Sequence, residues 1–151
     1  QPVTPTQPTT PQRPAAPVSQ AVIGGATFKL SSPSTATYVK APNKKSVVVP
    51  ATVVINGQKV KVTEIASNAF KNNKKLTSVI IGKNVKKIGN KAFFGCKKLK
   101  KVTVKSKVLK SVGKAAFKKA GNKGLTMKVP AKKKKVYTKL MKKGNFRGKI
   151  K

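Results

Sequence analysis

Apolar residues recur at a fixed spacing through the second half of this chain, and that spacing restricts the fold more than any other feature. Ile65, Ala69, Phe70, Leu76, Val79 and Ile81 return as Ile88, Ala92, Phe93, Leu99, Val102 and Val104, each 23 residues on. Val112, Ala116 and Phe117 continue the series at an offset of 24. The third unit then stretches, and its strand reads Leu125-Thr126-Met127-Lys128-Val129. Val47 and Val49 have the pattern of a degenerate leading unit. A unit this short cannot bury its own apolar face. Stacked units can, because equivalent residues then line up into continuous columns.

A period of roughly 20–29 residues around an L-x-x-L-x-L core is a leucine-rich-repeat signature. Leu76-x-x-Val79-x-Ile81 and Leu99-x-x-Val102-x-Val104 supply that core. The alternating residues predict one short strand per unit, with a turn or short helix around the Ala-Phe pair on the opposite side. The expected fold is therefore an α/β, strand-rich leucine-rich-repeat solenoid of three to four short repeats. The repeats should occupy residues 62–130.

An open solenoid needs covers at both ends. Residues 21–61 are expected to form an N-terminal β cap that includes the degenerate repeat. Ala26–Leu30 and Thr35–Lys40 alternate as strands do, and Ser46–Val49 is a β-branched run closed by Pro50. Asn56-Gly57 between strand-prone runs is a strong hairpin signal, because both residues accept positive φ. At the other end, residues 131–151 follow Pro130 and should form a Lys-rich capping helix and tail. Val136, Tyr137, Leu140 and Met141 have helical spacing, Gly144 ends the helix, and Phe146 and Ile150 close the core. Residues 1–20 read instead as an extended linker. Prolines stand at every third position from Pro2 to Pro17, the period of polyproline II, with threonines between them. The chain starts at Gln1, so a processed fragment with an upstream domain is expected.

The segment Val62-Thr63-Glu64-Ile65-Ala66-Ser67-Asn68-Ala69-Phe70, taken with Ile88-Gly89-Asn90-Lys91-Ala92-Phe93-Phe94-Gly95-Cys96, resembles the BspA-like leucine-rich-repeat family. The likeness extends over about Ser46 to Pro130, and Val129-Pro130 before a Lys-rich helix is similar to the C-terminal form found in Gram-positive gut bacteria. The resemblance implies a secreted or cell-surface protein with roles in adhesion, surface attachment or protein binding. It carries over no catalytic residue. Where the second unit has Cys96 the first has Asn73, which suits a packing role for the cysteine.

Charge sets the other limit. The chain has 36 basic residues, one acid (Glu64) and no histidine, for a net charge of +35. All but Arg13 and Arg147 are lysine. Catalysis by paired carboxylates needs a second acid, and a triad needs a histidine base. One cysteine without histidine makes no zinc site, and one carboxylate makes no calcium site. No enzyme activity, metal or cofactor is expected. Lysine is a flexible point charge that lacks arginine's planar fork, which suits diffuse attraction to a polyanion. No apolar run is long enough for a transmembrane helix.

Two surfaces are candidates for binding. Lys74-Lys75 recurs as Lys97-Lys98, and Lys87 as Lys110, which would stack ammonium groups into ribbons along the repeat. Such ribbons suit an anionic polymer of the bacterial envelope, teichoic-acid-like, held by many weak contacts. The second surface is the exposed strand face, formed by Ser78, Ile80, Lys101, Thr103, Lys105, Thr126 and Lys128. It suits an adhesin or protein-interaction role. Anionic glycans and non-specific nucleic acid are further alternatives, with Tyr38 and Tyr137 as the available polar aromatic platforms.

With almost no negative partners, self-repulsion opposes the compact state. Raising NaCl from about 0.05 to about 0.5 M should therefore raise the Tm by several degrees, since salt screens exposed charges. Circular dichroism melts across a salt series measure this directly.

Overall fold

The computed structural model describes residues 19–121 and 124–151. The expected Pro-Thr linker falls on residues 1–18, which lie outside the described residues. Gln20, placed at the end of that linker, instead opens the first strand.

Two sheets face each other across the core. The first begins with β1 (Gln20–Ile23), β2 (Ala26–Ser32) and β3 (Thr35–Lys40) as an antiparallel meander. β1 was not expected from the sequence, although Gly24-Gly25 signals its turn: both glycines have positive φ, at 59° and 84°. After β4 (Ser46–Val49), β5 (Thr52–Ile55) and β6 (Gln58–Ile65) form the expected hairpin, with Asn56 and Gly57 at φ 55° and 74°. β6 runs parallel to β3 on one edge. Its other edge holds β5 and then β8 (Lys87–Ile88), which continues to β10 (Ser111–Val112).

The second sheet is wholly parallel. Its order is β12 (Lys149–Ile150), β11 (Thr126–Lys128), β9 (Lys101–Val104), β7 (Ser78–Ile81) and β4. Register pairs Val47 with Val79, Val79 with Val102, and Val102 with Met127. Each is buried, so the strand of the degenerate leading unit stacks like its regular successors.

The units also join through their turns. The Phe70 amide donates to the Ala92 carbonyl, Phe93 to Ala116, and Phe117 to Gly144. These segments are turns, with no helix. Each uses two left-handed residues four apart: Asn68 and Asn72, then Lys91 and Gly95, then Ala115 and Lys119. The residue after each inward Ile or Val lies against the preceding unit. A Cβ on Gly89 would strike the Ser67 amide, and one on Gly113 the Asn90 amide. The first unit has Ala66 there, below which lies β3, and the Tyr38 carbonyl accepts the Ala66 amide proton.

An aromatic column runs the length of the core. Tyr38, Phe70, Phe93 and Phe117 stack nearly parallel, with centroids 5.4, 4.6 and 4.9 Å apart. Phe28 meets Tyr38 edge-on at one end and Phe146 meets Phe117 edge-on at the other. Phe146 thus closes the core as expected, and Ile150 joins it through β12.

The one α-helix among the described residues, α1 (Lys134–Lys143), follows a short 3-10 turn at Ala131–Lys133. It buries Tyr137 and Met141, one turn apart. Val136, expected in the buried stripe, is 55% exposed, and Leu140 is only partly buried. The helix lies over β10, and a face two residues wide suffices to cover a two-residue strand. The Tyr137 hydroxyl donates to the Ser106 carbonyl and accepts from the Leu109 amide.

Phe93 sits mid-column with ring neighbours on both sides and no exposure, whereas Phe94 is half-buried on the turn surface. Phe93→Ala should cost about 3–5 kcal/mol, enough to unfold a domain of ordinary stability. Phe94→Ala should cost about 1 kcal/mol or less. Urea denaturation of the two variants checks the contrast.

Candidate binding surface

The outer face of the five-stranded sheet carries two rows fixed by register. One runs Ser46, Ser78, Lys101, Thr126, Lys149. The other runs Val48, Ile80, Thr103 and, next to Thr103, Lys128. All seven face residues expected from the sequence are exposed or part-exposed, with Lys105 following directly after β9. Val48, expected from the sequence as an outward apolar residue, extends the face, and so do Ser46 and Lys149, which were not foreseen. Lys149 reaches it because the tail returns as β12, an element two residues long with too little pattern to read beforehand.

The face is not uniform. At the β4 end it presents hydroxyls and aliphatics: Ser46 and Ser78 share a hydrogen bond of 2.8 Å, beside Val48 and Ile80. At the β12 end it presents Lys101, Lys128 and Lys149. Lys101 and Lys149 flank Thr126 two strands apart, about 9.6 Å at ordinary strand spacing.

The lysines of the other surfaces are arranged differently from expectation in one place. Lys74, Lys75, Lys97 and Lys98 are all exposed, each pair directly before a buried leucine, Leu76 or Leu99. Lys87, however, pairs with Ser111, and the Lys110 amide donates to the Lys86 carbonyl. The predicted Lys87–Lys110 column is therefore wrong by one residue. An extra residue between Val104 and Leu109 shifts the offset from 23 to 24 before that strand begins. On its other side Lys87 pairs with Glu64, and their side chains form the one salt bridge among the described residues, at 3.5 Å. Glu64 thus neutralises a neighbouring lysine. Lys91 and Lys119 both sit over the Phe94 ring, 5.8 and 5.7 Å from its centroid.

Cys96 is fully buried, and its thiol donates to the Phe70 carbonyl at 2.9 Å. Burial pushes the thiol up to about 11, against a smaller lowering by a backbone hydrogen bond at Asn73. A thiol that stays protonated is a poor nucleophile, and this one packs. Asn73, its counterpart, is buried too, but it works as a turn clamp: its amide donates to the Pro42 carbonyl and its oxygen accepts from Lys75 and Leu76. Tyr38 and Tyr137 are both buried, so neither is the sugar platform considered from the sequence. No group of three or more His, Cys, Asp or Glu residues comes together among the described residues.

The model of the BspA type leucine rich repeat region matches residues 58–144, in six copies. Among solved structures, the chain is similar to a leucine rich cell surface protein from Faecalibacterium prausnitzii, with a TM-score of 0.62 and 26% identity over 79% of this chain. The match spans 38% of that protein. A leucine-rich repeat protein from Bacteroides capillosus shares the fold, with a TM-score of 0.54 and 23% identity, over 76% of this chain and all of that one. No curated protein matches the chain. No helix among the described residues is long and apolar enough to cross a membrane.

The Cys96 shift has a pH signature. Its folded value lies above the unfolded value of 9.0, so its contribution is complete below pH 9 and is lost as pH rises through about 11. Cys96→Ala should cost about 1–2 kcal/mol at neutral pH. That gap should narrow between pH 9 and 11, because only the wild type has the thiol to titrate. Paired urea titrations at pH 7, 9 and 11 measure it.

Proposed function

The chain belongs to the BspA-type leucine-rich-repeat family, and from that premise we propose that it is a non-catalytic, polycationic attachment module. In this reading a solenoid of three to four repeats, residues 62–130, is closed by the β cap of residues 21–61 and the helix and tail of residues 131–151. It holds a secreted protein with a domain upstream of the linker at the bacterial surface, through multivalent lysine contacts with an anionic envelope polymer.

One observation carries the proposal: in a chain with 36 basic residues and one acid, the parallel ladder sets Lys101, Lys128 and Lys149 of successive strands on one face. Hydrogen-bonded strands hold their lysine Cα atoms at a separation that flexible polycations lack. Each contact remains weak and exchangeable, because the ammonium groups are exposed. Affinity then comes from many contacts acting together. The description of the F. prausnitzii relative as a cell surface protein agrees with an extracellular setting.

A second reading has its own support. The β4 half of the exposed face, Ser46, Val48, Ser78 and Ile80 with Thr103 beside Ile80, has no lysine on β4 or β7. A protein partner seated there would depend little on salt, and Ile80→Asp or Thr103→Asp would release it.

Purified cell walls, with and without their anionic polymers, separate the readings in a salt series. Attachment by lysine predicts binding that falls steeply with salt and disappears with the polymer. Changing Lys101, Lys105, Lys128 and Lys149 together to Gln should lower the log–log salt slope by roughly one for each lysine that had neutralised a polymer charge. Walls stripped of polymer that bind as well as intact ones would refute it.

A further inference from the structure

The two edges of the parallel sheet are built differently. β12 is two residues long and is bounded by Lys149 and Lys151. Short, lysine-bearing edges resist the addition of another strand. β4 is four residues, Ser-Val-Val-Val, with no charge, and among the described residues it pairs with β7 alone. Its Val48 is 56% exposed. Six large apolar residues are exposed among the described residues, and four of them, Val22, Ile23, Val48 and Val54, belong to β1, β4 and β5 at this end.

Beside that edge lies a cleft between β4 and the strands of the N-terminal hairpins. Ile23, Phe28, Tyr38, Val48, Val53 and Val54 are among its lining. Tyr38 has no exposure, and its hydroxyl is the one buried side-chain polar atom without a hydrogen-bond partner among the described residues. Tyr137, near the other end of the stack, satisfies its own hydroxyl twice over. An unpaired buried hydroxyl costs about 1–3 kcal/mol, and an incoming acceptor recovers that cost.

We propose that the β4 edge and this cleft take up an extended acidic peptide as a sixth strand of the sheet. The peptide backbone pairs with β4, as in strand addition elsewhere. Alternate aliphatic side chains fill the cleft, and a carbonyl or carboxylate oxygen accepts from the Tyr38 hydroxyl. Charge complementarity selects the occupant. Lys44 lines the cleft and Lys45 immediately precedes β4. A second copy of this chain would bring another +35 of like charge to the same edge. The proposal is independent of envelope attachment, which uses the lysines of the opposite half of the face and of the turns.

The probe is a synthetic peptide of alternating Asp and Val, about eight residues long, the length of a strand with short overhangs. Controls are the same peptide with a central proline and an oligo-aspartate of equal charge. Binding is followed by fluorescence anisotropy at about 0.5 M NaCl, where diffuse attraction is screened, with backbone amide shifts locating the site. The expected result is binding of the alternating peptide with shifts at Ser46–Val49. It should weaken about tenfold or more for the proline peptide, and for Val48→Pro and Val48→Lys, because each removes edge pairing. Tyr38→Phe should weaken it several-fold while leaving the free protein's Tm equal or higher, which loss of a structural hydroxyl would not do. Lys101→Gln with Lys128→Gln should leave it unchanged. Absence of binding at this salt, equal binding of oligo-aspartate, or indifference to both Val48 variants would overturn the proposal. So would a Tm lowered by Tyr38→Phe. Because the Val48 variants keep every lysine of the basic half, retained wall binding by them separates this proposal from the attachment reading.

Discussion

In-register stacking of near-identical units is the constraint from which the rest of this structure follows. Three ladders hold each unit to the next: the inward valines of the parallel sheet, the short β6–β8–β10 pairs, and the turn amides that donate across units. The aromatic column threads between them. It works because the Phe of each unit falls at the same place in the turn, so the rings meet face to face. A stacked pair adds about 0.5–1.5 kcal/mol beyond the area it buries. The edge-on rings at both ends, Phe28 and Phe146, turn the column away from solvent.

Stacking also concentrates charge. Bringing units to strand spacing places lysines from successive strands on one face, and only one salt bridge among the described residues offsets the repulsion. Cohesion must therefore come from apolar burial and the backbone ladders. The core matches this demand. Its buried residues form one cluster from Ala26 to Phe146, with Asn73 and Ser106 as the buried polar residues, and both have hydrogen-bond partners. A polyanion would relieve the same repulsion, so stability and binding are linked through one field.

The ends of a stacked structure are chemically unlike its middle. The C-terminal end is closed tightly: α1 covers β10, Tyr137 clamps the Ser106–Leu109 loop, and Lys149 guards a two-residue edge. The N-terminal end is covered by hairpins on one sheet and bare on the other. Both the neutral half of the exposed face and the unpaired Tyr38 hydroxyl lie at this end.

Much of this was legible beforehand because a repeat is a local rule applied several times. The offset of 23 named the core columns, put Cys96 inside, and assigned the outward residues from Ser78 to Lys128. The Asn56-Gly57 hairpin was readable because turn chemistry is local too. What failed had two sources. The Lys87–Lys110 column failed because it applied the offset of 23 where the neighbouring Ile88 and Val112 already stand 24 apart, and the register pairs Lys87 with Ser111 accordingly. The other failures depended on placement in three dimensions. Val136 failed because helical spacing gives an apolar stripe without saying how wide a surface it will meet. The short strand β12 was hidden because two residues carry no period. The sequence by itself determined a stacked, strand-rich, lysine-covered family member without the residues for His-, metal- or carboxylate-pair catalysis. The tertiary structure alone decided which lysines share a face, which hydroxyl is left without a partner, and which edge is open. Those depend on how the two ends of the chain fold back onto the stack, and contacts between distant segments leave no periodic trace.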